Sequence, residues 1–390
     1  MRKSVRGAAF AAVAACALAS SAGTAGASTP NVLLVGTYKG VHGTYATIQA
    51  AVNAAQPGDW VLVGPGDYHE QADLANPAHP AGVAISTHDL HLRGMDRNGV
   101  IVDGTKPGSP ACSSIVGDQY QGPGGKGRNG IEVFGQTGTA SNVSIENLTV
   151  CNFLTSNAGA NGNEIWWNGG DGKGKINMDG YLGNYLTATS TYSNTVNYPA
   201  GSYGIFVSNA KNGSWSYDYA SNMSDSSYYI GACQQLCHAV MNHDHGQNSA
   251  LCLSSTNAGG YILVENTECD NNKTGLVSNS QNNDDWPSPQ LGACPVGVTG
   301  PIPAATKSCT VWAYNYLHDN NNPDVPGNGT SGLAGGGPVG TGAILAGSRN
   351  VTIYHNTFSN NSAWGELVVD LPDQESGPAA APPTKGGVPA

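Results

Sequence analysis

Charge is scarce in this chain: only 11% of its 390 residues are Asp, Glu, Lys or Arg. Long runs of helix formers are missing too, once the first 60 residues are passed. Helices draw on Ala, Leu, Glu, Lys and Gln in quantity, so an architecture of long helices is excluded. Basic residues are the scarcest charges, 16 Lys and Arg against 27 Asp and Glu, a formal net charge of −11. That is a poor footprint for nucleic acid or anionic lipid, and no nucleic-acid partner is expected. The longest apolar run, Ala8 to Ala19, is too short to span a bilayer.

Glycine is plentiful instead, with 54 residues, and Asn and Ser are abundant. These residues tolerate positive φ and mark tight turns. Between them a short pattern returns about every 23 residues. Tyr228-Tyr229-Ile230-Gly231, Leu251-Cys252-Leu253-Ser254 and Thr274-Gly275-Leu276-Val277 form its rows. Asn222, His245 and Glu268 fall in one column, and Asp225, Asn248 and Asn271 in another. Ala239/Met241 stand above Ile262/Val264. A unit this short cannot bury its own apolar face and must stack on copies of itself. The reading is an all-β parallel solenoid, with Ile205, Ile230, Leu253 and Leu276 inside. Asn147, Asn266, Asn315 and Asn356 each follow a strand near the same turn, a structural position where side chains can bond along the stack.

The start reads as a targeting segment over 1–27: basic Arg2, Lys3 and Arg6, an apolar run, and Ala25-Gly26-Ala27 as cleavage site. A lipoprotein-type cut before Cys16 competes with it. Either route takes the chain out of the cytoplasm, as a secreted protein expected to be a monomer. Of nine cysteines, Cys16 leaves with the segment, and the even remainder favours disulfides. Cys233–Cys237 and Cys294–Cys309 are the local pairs to expect.

The solenoid domain is placed at 31–370. Its start carries Ile48, Ala51, Val52 and Ala55 on one helical face, with Thr47 as cap and Pro57-Gly58 as stop. This helix suits the open apolar end of a solenoid. Two excursions interrupt the coils, an irregular zone at about 154–200 and a Pro-rich one at about 280–308. Residues 371–390, rich in Pro, Ala and Gly, form a disordered tail with too little apolar surface to cap the far end. Later coils, a partner, or a folded-back 322–340 loop would have to cover it.

The stretch from Tyr45 to Glu70, with Leu92-Arg93-Gly94 and the later coils, resembles the pectin-lyase-like superfamily of right-handed parallel β-helix proteins over about 40–370. The resemblance implies a fold and a class of polysaccharide-acting proteins: lyases, epimerases, hydrolases, esterases and non-catalytic binders. Gly66-Asp67-Tyr68-His69-Glu70 is similar to the first block of pectin methylesterases, but their catalytic Gln-Asp and Asp blocks have no counterpart. The polygalacturonase Asn-Thr-Asp and Gly-His-Gly blocks are absent, as is the Arg-x-Pro-x-x-Arg of one pectate lyase family. Asn242-His243-Asp244-His245 is distantly similar to the Asp-Pro-His-Asp of alginate epimerases, without the Pro or the order. No active site is carried over.

The residues themselves nominate one. Asp218, Asp225, His238, His243, Asp244 and His245 are the densest titratable cluster, on two neighbouring coils. Asp225, His243, Asp244 and His245 are the candidate catalytic group, expected within about 12 Å of one another because coils sit about 4.8 Å apart. A carboxylate pair suits glycoside hydrolysis, and a histidine base suits elimination beside a uronate carboxylate. Lys211 or Lys273 would neutralise that carboxylate. Trp166, Trp167, Trp215 and Tyr217 are the candidate sugar-stacking residues. Cys233, Cys237, His238, His243 and His245 admit a zinc reading, and Asp270, Asp284 and Asp285 a calcium reading. No cofactor is certain from the sequence, calcium is possible, and the metal ligands stay open. The partner expected is a polysaccharide, with uronate one option, and the alternative to an enzyme is a non-catalytic glycan- or surface-binding module.

Overall fold

A computed structural model describes residues 29–370 apart from 75–79, 136–139, 171–174, 234–236, 280–293, 295–296, 304–305, 307 and 330–331. The targeting segment, Asp284, Asp285 and the tail 371–390 therefore lie outside the described residues.

Short strands bounded by turn residues cannot form a sheet with their chain neighbours, so each pairs with its equivalent one coil away. Three parallel sheets result, of ten, nine and nine strands, and in each the neighbours are every third strand of the chain. One coil shows the unit. Ala239–Asn242 belongs to sheet 1, His245–Gln247 to sheet 2 and Leu251–Thr256 to sheet 3. The next coil repeats it with Ile262–Glu265, Glu268–Asp270 and Thr274–Asn279. Parallel strands joined this way wind right-handed, and the fold is a right-handed parallel β-helix.

Alternate side chains point into the coil and form one continuous core. Ile205, Leu253 and Leu276 are wholly buried and Ile230 is 1% exposed. The helix Ile48–Ala54 closes the first end with Ile48, Ala51 and Val52 buried. Thr47 accepts the Ala50 N–H, and Glu70 accepts those of Ile48 and Gln49 at 2.6 and 3.1 Å. These bonds satisfy donors that a helix start leaves open.

The register corrects the 23-residue columns in one place. Leu251 pairs with Thr274 as expected, but Tyr228 pairs with Leu253, two residues on. Tyr219, not Asn222, heads the column of His245 and Glu268. The cause is local: this coil has longer corners, one of them closed by the Cys233–Cys237 disulfide. A second correction concerns the zone read as irregular. It supplies a full coil, Asn163–Asn168, Met178–Asn184 and Thr187–Thr189, joined by longer loops. Gly213 permits this, since a Cβ there would lie 2.2 Å from the Tyr181 ring.

Four disulfides form, including both expected pairs and also Cys112–Cys151 and Cys252–Cys269. They fit an oxidising compartment, and no helix among the described residues is long and apolar enough to cross a membrane. Cys112–Cys151 closes the longest loop, with a sequence separation of 39. Opening it with a Cys112→Ser, Cys151→Ser double variant should cost about 4 kcal/mol through loop entropy. An unchanged melting temperature would show that the 104–127 loop is held by its other contacts.

Where it is described, the 322–340 loop packs along the side of the coil. Val325 and Ala334 pack on the outside of sheet 3, against Leu251, Val277 and Ile344. The last strand, Trp364–Val369, leaves Trp364 46% and Val368 60% exposed.

Candidate functional site on the outer face of sheet 2

Apart from Val100–Asp103, each sheet 2 strand has three residues, so its first and third side chains point outward and its middle one inward. The outward columns are Tyr219, His245, Glu268, Tyr316 and Ser221, Gln247, Asp270, His318. Four consecutive coils thereby bring acid, base and aromatic groups onto one open face.

The centre of the face is a dyad. His245 Nε2 lies 2.5 Å from Asp270 Oδ1, with His245 34% and Asp270 10% exposed. Gln247 Nε2 donates to both Asp270 oxygens at 3.3 Å, and Asn271 Nδ2 donates at 2.5 Å. Burial works against the Asp270 carboxylate, but the His245, Gln247 and Asn271 donors outweigh it and hold its pKa below the ordinary value. Asp270 is therefore ionised at neutral pH and fixes the imidazole. With Nε2–H given to Asp270, Nδ1 is the lone-pair nitrogen, the arrangement of an oriented base.

A second histidine lies on the same face. His318 stands between Glu268 (Nε2 to Oε1, 3.1 Å) and Asp319 (Nδ1 to Oδ2, 2.7 Å). Burial opposes its cation, yet hydrogen bonds to Asp319 and Glu268 win and raise its pKa above 6.5. Tyr316 stacks on His318 at 3.9 Å, and Tyr219 donates to Gln247 Oε1 at 2.6 Å. His245, Glu268 and Asp270 each bring a ligand atom within 4.8 Å of the others. One imidazole with two carboxylates suits a divalent ion with mixed ligands better than calcium's all-oxygen shell. Asp270 is already committed to the His245, Gln247 and Asn271 donors.

The other nominated residues do not gather here. Asp244 is 2% exposed, and its carboxylate accepts the Asp218 and Asn242 N–H groups at 2.8 and 3.0 Å. It belongs to an interior ladder at the corner between sheets 1 and 2. Along that ladder Asp218 accepts the Leu186 N–H, Asn315 the Thr267 N–H and Asn356 the Asn315 N–H. Asp225 is 5% exposed at the opposite end of sheet 2, where it accepts from Tyr203 Oη at 2.9 Å and Ser226 Oγ at 2.5 Å. Sheet 2 separates the two aspartates, so they do not face each other across a groove. His243 is exposed at the first corner, stacked on Tyr217 at 5.0 Å. His238 lies beyond the other end of sheet 1, bonded to Asn212 at 3.0 Å. The zinc reading fails because its two cysteines are bonded to each other.

Trp167 and Trp215, nominated for sugar contact, are core residues at 0% and 1% exposure, tilted against each other at 6.4 Å. Their columns alternate inward, which the composition of the zone concealed. Trp166 does face outward, on sheet 3, stacked on Phe206 at 4.8 Å. It stands beside Glu132, whose carboxyl takes Asn129 and Asn168 amides at 2.8 and 2.9 Å. Burial pushes the Glu132 pKa up to about 7 against those two bonds. Lys211 pairs with Asp179 at 3.1 Å, and Lys273 Nζ donates to the Gly335 carbonyl at 2.5 Å. Neither reaches the sheet 2 face. Sequence reading missed Asp270 as the histidine's partner, and also Gln247, Tyr316 and His318. Their shared signal is the alternation within each three-residue strand, which only the correct register exposes.

No family model matches the chain, and no curated protein sequence matches it. Several solved structures are similar to it. Rice weevil pectin methyl esterase covers 80% of this chain and 86% of its own at 12% identity, with a TM-score of 0.42. An alginate lyase from a Paenibacillus species covers 87% and 97% at 10% identity, with a TM-score of 0.40. Pectin methylesterase from Erwinia chrysanthemi covers 92% of each chain at 14% identity, with a TM-score of 0.36. Likeness at this level transfers no residue and no activity. The strand register itself assigns the chain a right-handed parallel β-helix.

Proposed function

We propose that this chain cleaves an uncharged polysaccharide by acid–base chemistry on the outer face of sheet 2. The observation that carries this reading is the column Tyr219, His245, Glu268, Tyr316, an acid–base centre flanked by two tyrosines along the coil axis. A polymer lying along that axis meets ring, base, acid and ring in turn. Sugar rings pack their apolar C–H faces on aromatic rings. His245 Nδ1 takes a proton from water as the water oxygen attacks the anomeric carbon. The glycosidic oxygen leaves with a proton from the Glu268–His318 pair. Asp270 keeps its charge throughout and positions His245.

The charge around the centre selects the substrate class. Glu265, Glu268, Asp270 and Asp319 lie in or beside the two columns, whose own strands carry no Lys or Arg; Arg97 reaches them from outside, at Thr187 one coil before Tyr219. An acidic setting repels a uronate carboxylate and accepts a neutral sugar. Elimination from a uronate, the option raised by His245 alone, would have to draw its cation from His318, which is held between Glu268 and Asp319, or from Arg97, which bonds Thr187 one coil before Tyr219.

His245→Ala and Glu268→Gln should each lower kcat about 10²–10⁴-fold on neutral polymers, read as new reducing ends. Because His318 titrates above its ordinary value, the alkaline limb of activity should lie above pH 6.5. Unsaturated product from uronate polymers would replace hydrolysis by elimination. Unchanged turnover in His245→Ala would remove the site. The second reading, a non-catalytic glycan module, is favoured by how many polar groups here bond to one another; its signature is glycan retention with no product.

A further inference from the structure

The corner between sheets 1 and 2 places one residue per coil in the left-handed region. Successive coils supply Asn147, Tyr185, Tyr217, His243, Asn266, Tyr314 and His355, with φ between 53° and 61°. Asparagine is the cheap non-glycine residue in that conformation, and a bulky aromatic is costly. Five of these seven corners nevertheless carry a ring. The rings are not recruited by the core: Tyr185, Tyr217 and Tyr314 are each 46% exposed. Strained residues held at the surface point to function rather than folding.

The rings form two parallel stacks. Tyr185 lies on Tyr217 at 5.2 Å with 6° between planes, and Tyr217 on His243 at 5.0 Å and 20°. Tyr314 lies on His355 at 5.6 Å and 3°. Between the stacks stands Asn266, exposed, with its Nδ2 donated to Asn242 Oδ1 at 3.0 Å. Its short side chain leaves the faces of His243 and Tyr314 two coil steps apart, about 9.6 Å. One ring in contact with both faces needs about 7–8 Å, two carbon contact distances. The gap is a slot for a single ring.

We propose that His243, Asn266 and Tyr314 form a glycan-binding slot that takes one uncharged pyranose ring between two aromatic faces. The Asn266 amide forms a polar floor for sugar hydroxyls. Glu265 and Glu268 flank the slot in sequence and disfavour an anionic sugar. The slot borders the sheet 2 face, since His243 and His245, and Tyr314 and Tyr316, are two residues apart. It holds whether or not that face is catalytic, because it requires binding alone.

The test uses the full-length protein on an array of neutral and uronate oligosaccharides, with affinity for the best neutral probe then measured in solution. His243→Asn and Tyr314→Asn keep the residue that this corner already accepts at Asn147 and Asn266, so both should fold. Each should weaken binding at least tenfold with no fall in melting temperature, and Asn266→Trp, which fills the slot, should do the same. Turnover, if present, should show a raised KM with kcat kept, whereas His245→Ala loses kcat. Loss of binding in these variants from a protein with no turnover would support the slot and sink the activity. Unchanged binding in both Asn variants would overturn the slot. So would wild-type protein that retains no neutral probe, or a melting temperature that drops with the Asn substitutions.

Discussion

Replacing Leu253 with Asp should unfold the central coils. Leu253 is wholly buried, with Tyr228 above it and Leu276 below in the same column. Truncation to Ala should cost about 2–5 kcal/mol through lost contacts and an unfilled cavity. Asp should cost more, because a carboxylate in the column has no partner and must either stay charged in an apolar interior or bind a proton. Each coil relies on its neighbours for its core, so the damage should spread beyond one coil. Circular dichroism on heating, with Leu253→Ala as the intermediate case, reads the order directly. A Leu253→Asp variant that melts with wild type would mean the register is wrong.

The second large effect is a stabilisation. Asp218 and Asp244 occupy an interior ladder where Asn315 and Asn356 stand in later coils. Those asparagines accept a backbone N–H from the preceding coil and also donate, Asn315 Nδ2 to the Val264 carbonyl at 3.0 Å and Asn356 Nδ2 to Trp312 at 2.8 Å. Asp218 has no proton to donate when ionised, and its Oδ2 is buried without a hydrogen-bond partner. Burial raises the pKa of Asp218, with Asp244 adding to it, and burial lifts Asp244 to about 8. Arg97, bonded to the Leu186 and Tyr217 carbonyls, offsets part of this.

The sign follows from the unfolded chain, where Asp titrates near 3.9. A folded pKa raised above that value means the fold prefers the protonated acid. The contribution to stability is complete below about pH 4 and is lost as pH rises toward about 8. Asp218→Asn should therefore raise stability at pH 8 by about 1–3 kcal/mol and have little effect at pH 4. Asp244→Asn should gain less, since its second oxygen accepts the Asn242 N–H, which an amide nitrogen cannot do. Neither substitution should lower turnover. Melting curves at the two pH values decide it, and equal destabilisation at both would show that the charged pair supports the fold.

Much of the architecture was legible in the residues. A period near 23 with three-residue apolar strands admits only a stack, and the amphipathic helix over Ile48–Ala54 is visible from spacing alone. Two disulfides with short separations could be named for the same reason. These features are local, and local chemistry is written in the chain order. The site was not local. His245 was singled out, but its partner Asp270 is one coil away, and which residue stands opposite depends on the length of every corner between them. Two extra residues at the Cys233–Cys237 corner and one at the corner before Ser226 shifted the count by three in sheet 2, enough to set Asn222 where Tyr219 belongs.

Sequence alone thus determined the solenoid, its capped start and its choice of polar and aromatic residues. Direction was decided only in three dimensions. Trp166 and Trp167 are neighbours, yet one faces outward on sheet 3 and the other fills the core, because a strand alternates. Asp244 and His245 part in the same way, one into a buried ladder and one onto the open face. A one-residue step reverses which side a group serves, and only the pairing of whole coils sets that step.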